Sequence, residues 1–153
     1  MTALTLGVDP GKSGAFALLA PDGRIVHIED APALAGAALG AWLATLIADF
    51  SPDTVGTAYV ERVNYMPGQR GVWTFAEGYG ATLGALGALG IPVVTVPPGT
   101  WKKAAGLTNK DKGASRQLAA ELWPTEAHQF ARVKDDGRAE ACLVARHGQK
   151  DNR

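Results

Sequence analysis

Apolar residues in the first third of the chain fall into short runs broken by turn-forming clusters. Leu4–Asp9 (LTLGVD), Ala15–Ala20 (AFALLA) and Arg24–Ile28 (RIVHI) are β-prone. Between them stand Pro10-Gly11-Lys12-Ser13-Gly14 and Pro21-Asp22-Gly23, both turn sequences. Two hairpins in succession predict three antiparallel strands. Ala33–Phe50 then reads as a helix that stops before Ser51-Pro52, and Thr54–Glu61 (TVGTAYVE) as a fourth strand. A glycine-rich helix is expected over Gly71–Leu89 and a fifth strand over Ile91–Val96. Two shorter helices follow, around Pro98–Ala105 and Lys112–Leu122, then a last one from Asp136 to His147. The order β-β-β-α-β-α-β-α-α describes a mixed sheet with helices on its faces. Gly78, Gly80, Gly84 and Gly87 weaken the second helix, so another backbone is expected to pack closely there, either its own sheet or a second subunit.

Composition narrows the class. With 153 residues, 46% of them apolar, the chain fits one folded domain, taken as residues 1–148, with Gln149–Arg153 as a frayed polar tail. The uncharged stretch Ala33–Ala48 is too short and too rich in Ala and Gly to span a membrane. Met1–Leu6 enters a strand without the basic and apolar pattern of a signal peptide. A single cysteine, Cys142, excludes an internal disulfide and argues against structural zinc; a reducing cytoplasm fits. Zero net charge argues against coating nucleic acid by bulk charge and directs attention to local patches.

The candidate chemistry lies in the acids. Asp9 closes the first strand before Pro10, and Glu61 closes the fourth after Tyr59-Val60. Singly, each reads equally as a solvated strand end. In the last helix Asp136 and Glu140 are four apart, about 40° from one another around the axis, whereas Asp135 is about 140° from Glu140. Asp136 as an N-cap with Glu140 as an exposed acid is the plain alternative. Against it, Glu140 is embedded among Ala139, Ala141, Cys142, Leu143 and Val144, which suits a helix packed on the sheet. Together the four carboxylates supply hard oxygen ligands suited to Mg²⁺, and two such ions on either side of a phosphodiester need no protein nucleophile. His27, His128 and His147 have no evident serine or cysteine partner.

The acids in this order, with Gly7-Val8-Asp9-Pro10-Gly11-Lys12-Ser13-Gly14-Ala15 at the start, resemble the RuvC family of Holliday junction resolvases, the shorter phage-type forms most of all. Glu61-Arg62-Val63 with Met66-Pro67-Gly68-Gln69, Ile91-Pro92, Thr100-Trp101-Lys102-Lys103 and Asp136-Gly137-Arg138-Ala139-Glu140-Ala141 extend the resemblance over Leu4–Gly148. It implies a ribonuclease H-like fold: a five-stranded mixed sheet, three strands antiparallel and then two parallel, flanked by helices. It further implies a homodimer making paired nicks in a four-way junction. Asp9, Glu61, Asp136 and Glu140 carry over as ligands of two Mg²⁺ ions, with Mn²⁺ able to substitute. The better-known cellular members place their last two acids three apart and end in Asp; here the spacing is four and the last is Glu, which leaves Asp135 as the alternative to Asp136.

Between Trp101 and Arg116 five basic residues, Lys102, Lys103, Lys110, Lys112 and Arg116, stand against one acid, Asp111. Such a run is often a solvated face, but in a chain of zero net charge it marks segregated charge, and phosphates flanking the cut are its expected partners. In the loop after Glu61, Tyr65 is the candidate wedge between bases by the resemblance, and Arg70 a phosphate contact. The alternative for Tyr65 is simple packing beneath the loop. Three rival readings share parts of this pattern. One is the first phosphate loop of actin-like kinases, which need two such domains. Another is a nuclease of the type that trims ribosomal RNA precursors. The last is a catalytically inactive branched-DNA-binding module.

Overall fold

The computed structural model describes residues 3–50, 54–62, 64 and 67–151. Five strands, β1 (Ala3–Asp9), β2 (Ala15–Leu19), β3 (Ile25–Asp30), β4 (Thr54–Glu61) and β5 (Val93–Val96), form one sheet in the order β3-β2-β1-β4-β5. β1, β2 and β3 are joined antiparallel, while β4 lies parallel to β1 and β5 parallel to β4. This is the expected ribonuclease H-like sheet. The helices are α1 (Gly36–Ala48), α2 (Val72–Ala88), α3 (Pro98–Ala104), α4 (Gly113–Leu122) and α5 (Asp136–Asp151). No helix among the described residues is long and apolar enough to cross a membrane.

The period-two alternation of the strands divides the core between the two faces. Leu4, Leu6 and Val8 of β1, Phe16 and Leu18 of β2, and Ala58 and Val60 of β4 join Leu43, Leu46 and Leu86 beneath α1 and α2. Ala15, Ala17 and Leu19, with Tyr59, join Ala141, Cys142, Val144 and Ala145 of α5, Trp101 of α3 and Ala119 of α4 on the other face. Val8 pairs with Val60, so Asp9 and Glu61, the next residues along, end adjacent parallel strands on the α5 side.

Glycines let α5 lie close against β1, β4 and the turn after β1. A Cβ on Gly7 would overlap the Ala141 carbonyl, one on Gly137 the Ser13 carbonyl, and one on Gly148 the Tyr59 ring. Close packing was expected instead at the glycines of α2. Around Gly78, Gly80, Gly84 and Gly87 a Cβ would meet nothing within 4 Å, so these four do not accommodate the chain's own sheet.

Boundaries moved where tertiary contacts override local preference. β3 runs on to Asp30 because Glu29 and Asp30 pair with Phe16 and Ala15, and an edge strand tolerates polar residues. β5 begins only at Val93: the Ile91 N–H is taken by the Leu86 carbonyl and Pro92 has none to give. α1 starts at Gly36, whose φ of 53° interrupts helix propagation towards residue 33. Two 3₁₀ turns, Pro124–Phe130 and Val133–Asp135, have no apolar period to announce them. The expected frayed tail is corrected in part: α5 continues to Asp151, and the Gln149 side-chain amide donates to Thr5 Oγ1 at 3.1 Å and to the Ala20 carbonyl at 2.8 Å.

Gly7→Ala is expected to cost at least about 1–3 kcal/mol, because α5 must lift from β1. Gly99→Ala, on the exposed first turn of α3 with open space around it, is expected to gain roughly 0.4–1 kcal/mol through the unfolded state. Urea unfolding of the two variants beside the parent checks both signs.

Candidate metal centre

Asp9 is delivered by β1 and held by the turn that follows, in which the Gly14 N–H donates to the Gly11 carbonyl at 3.1 Å. Gly11 adopts a φ of 123°, a conformation that favours glycine, and Phe75 of α2 packs against it. Glu61 comes from the end of β4, and Glu140 from the second turn of α5, which Gly137 lets down onto Ser13 and Gly14. One carboxylate oxygen from each of Asp9, Glu61 and Glu140 lies within 4.8 Å of the others. Three acids distant in sequence thus converge.

Their electrostatics are those of crowded anions. Burial, and then the charges of Glu140 and Glu61, push Asp9 up to about 9, with Lys102 opposing and Asp136 adding to the rise. Burial and Glu140 raise Glu61, against a hydrogen bond from Trp101. Burial also raises Glu140, and Lys102 and Ser115 partly counter it. The Trp101 indole N–H donates to Glu61 Oε2 at 2.7 Å, and Lys102 Nζ stands 3.6 Å from Glu140 Oε1 and 5.2 Å from the centre of the Trp101 ring.

An all-oxygen, half-buried set of three carboxylates, with Lys102 as the cation paired to it, fits a hard divalent cation. Asp136 lies close enough for its charge to reach Asp9 and Glu140, but Arg116 Nε donates to its Oδ1 at 2.7 Å and it is not one of the converging three. Asp135 is elsewhere. It is 1% exposed and accepts from the backbone N–H of Arg132 at 2.8 Å and from the Arg132 guanidinium. Burial opposes its ionisation, yet Arg132 and Arg138 outweigh that and hold it below the usual carboxylate range. Between the two neighbouring acids, the structure puts Asp136 beside the cluster and commits Asp135 to a structural network.

The expected phosphate contacts divide. Lys102 is turned onto Glu140 of the cluster and Arg116 onto Asp136 beside it, whereas Lys103, Lys110 and Lys112 are exposed on and after α3. Arg70 is exposed in the turn before α2; Tyr65 lies outside the described residues. Two aromatics escaped the sequence reading as site residues. Trp101 entered only as part of the Thr100-Trp101-Lys102-Lys103 motif, with no role assigned to its side chain. Trp73, in the first turn of α2, is 82% exposed, and its neighbour Phe75 packs on Gly11 two residues beyond Asp9. A tryptophan flanked by Val72 and Thr74 at a helix start gives no hint of such exposure.

Comparison with known proteins found relatives in both sequence and structure. The chain is 34% identical over 125 residues, 80% of its length, to the chloroplastic Holliday junction resolvase MOC1 of Chlamydomonas reinhardtii, and spans only 14% of that protein. It superposes on Thermus thermophilus RuvC in complex with a Holliday junction substrate with a TM-score of 0.68, at 16% identity, covering 97% of this chain and 95% of that one. A second T. thermophilus RuvC structure gives 0.68 at 17% identity, covering 97% and 96%. No family model matches. The chain has the RuvC fold, and the resemblance to RuvC-type resolvases read from its motifs holds.

A pH dependence follows for the metal-free protein. Asp9 is raised from 3.8 to about 9 on folding, so between those values the folded state holds a proton that the unfolded chain has lost. Stability is therefore full below about pH 4 for this group and falls as pH rises towards about 9. Thermal melts in EDTA are expected to show that decline, and Asp9→Asn to flatten it; a parent and variant with parallel profiles would remove Asp9 as the source.

Proposed function

We propose that this chain is a metal-dependent, structure-specific DNA endonuclease that resolves four-way junctions and related branched DNA by phosphodiester hydrolysis. The convergence of Asp9, Glu61 and Glu140 from β1, β4 and α5 carries this reading, and the likeness to a Holliday junction resolvase and to RuvC supports it. A divalent cation bound at these acids supplies Lewis-acid polarisation of the phosphodiester and its attacking water. Asp9 and Glu61, side by side at strand ends, and Glu140 facing them from α5 are the residues that hold it. Asp136 is the fourth ligand in this reading, with Arg116, now its partner, free to turn to phosphate. Oxygen donors suit Mg²⁺, with Mn²⁺ in its place, and four carboxylates are enough for a pair of ions.

The remaining side chains bind DNA. Lys103, Lys110 and Lys112 meet phosphates flanking the cut, and Arg70, exposed in the turn before α2, is a further phosphate contact. Trp73, in the first turn of α2, offers an exposed stacking face, and Tyr65 is a second candidate for the same work. Paired cuts on symmetry-related strands call for two sites, hence a homodimer, for which the open glycines of α2 leave room.

Labelled four-way, flap and linear DNA incubated with Mg²⁺, Mn²⁺ or EDTA tests the reading. Symmetric, metal-dependent nicks in the junction are expected, abolished by Asp9→Asn, Glu61→Gln or Glu140→Gln. Cleavage that survives EDTA or Asp9→Asn at the parent rate would sink it. Lys103→Ala and Lys110→Ala are each expected to reduce the slope of log binding constant against log salt by about 0.9 per lost phosphate contact. An unchanged slope takes that lysine out of the interface.

Trp73→Ala is expected to weaken junction binding by about 1–3 kcal/mol and to lower the fluorescence of 2-aminopurine placed at the branch point. Parent-like binding and fluorescence would exclude stacking.

A further inference from the structure

We propose that Trp101 is a positioning residue for the metal centre: its indole N–H anchors Glu61 so that the carboxylate stays turned towards Asp9 and Glu140. The proposal rests on the metal-binding reading above. Glu61 is pressed from its own side by like charges, since one oxygen each of Asp9, Glu61 and Glu140 lies within 4.8 Å of the others. A glutamate has three side-chain torsions, and an untethered one facing two anions lowers its energy by swinging out to water. The indole prevents this. Trp101 is 1% exposed, locked in the core with Tyr59, Val96 and Ala139, and its Nε1 stands 2.7 Å from Glu61 Oε2. That is the length of a charge-assisted bond.

The bond occupies one of about four lone-pair positions on the carboxylate and leaves the others for a cation. The next residue, Lys102, points about 100° further round α3 and reaches Glu140 at 3.6 Å. Consecutive residues of one short helix therefore engage acids from two separate elements, β4 and α5. Indole is well chosen for a permanent anchor, since it is a donor only and does not titrate in the working range. A lysine there would add charge that competes with the cation.

The experiment replaces Trp101 by 3-benzothienylalanine, which keeps the ring shape and substitutes sulfur for the N–H, alongside the conventional Trp101→Phe. Mn²⁺ binding to metal-free protein is measured by calorimetry, together with thermal melts in EDTA. The Mn²⁺ dissociation constant is expected to rise about 10–100-fold in the benzothienyl variant while its unfolding stays cooperative. A lower melting temperature with Mn²⁺ affinity within about twofold of the parent would reduce Trp101 to a packing residue and overturn the proposal. Because the readout is ion binding, it decides the role of Trp101 whether or not the parent cuts branched DNA, so the two readings fail separately.

Discussion

The close approach of α5 to the central strands is the constraint on which the rest depends. Gly7 and Gly137 remove the side chains that would hold the helix away, and Ala141 and Ala145 present the smallest surface to β1. Only at that separation can a glutamate on the helix stand opposite acids at the ends of β1 and β4. The arrangement is costly in the absence of a cation. Burial and mutual repulsion raise all three carboxylates, against which the chain sets Lys102 and hydrogen bonds from the Trp101 indole and Ser115. A divalent ion bound there would displace the proton that the crowded acids retain and return stabilisation that folding withheld.

The location of the site follows from the sheet. β1 and β4 run parallel as neighbours, so their C-terminal ends open at one edge, the usual place for ligands in α/β sheets. The same alternation that buries Val8 and Val60 beneath α1 and α2 turns Asp9 and Glu61 to the opposite face. Core and chemistry are thus set by one register. A slip of one residue in β4 would bury Glu61 among leucines and carry Val60 into the acid cluster.

Charge is segregated rather than abundant. The chain is neutral in total, yet Lys102 and Arg116 face the acids while Lys103, Lys110 and Lys112 are left to solvent. A division of that kind suits the proposed meeting with a polyanion, which would then rest on local field rather than net charge.

Much of this was written in local pattern. Alternating runs and Gly/Pro turns determined five strands and their hairpins, and the helical spacing of Asp136 and Glu140 determined that both acids share a helix face, because these are properties of a few adjacent residues. The identities of Asp9, Glu61 and Glu140 were legible for the same reason: each ends or interrupts an apolar run. Distance in the chain concealed the rest. That Asp136 pairs with Arg116, twenty residues away, is such a case, whereas Asp135 is held by Arg132 only three residues before it. That Lys102 faces an acid, that Trp101 donates to Glu61 and that Trp73 lies bare depend on how α2 and α3 dock against the sheet. Period and propensity report which face of an element is apolar. Which side chain of another element meets that face is settled only when the core closes and buried charges and donors must find partners.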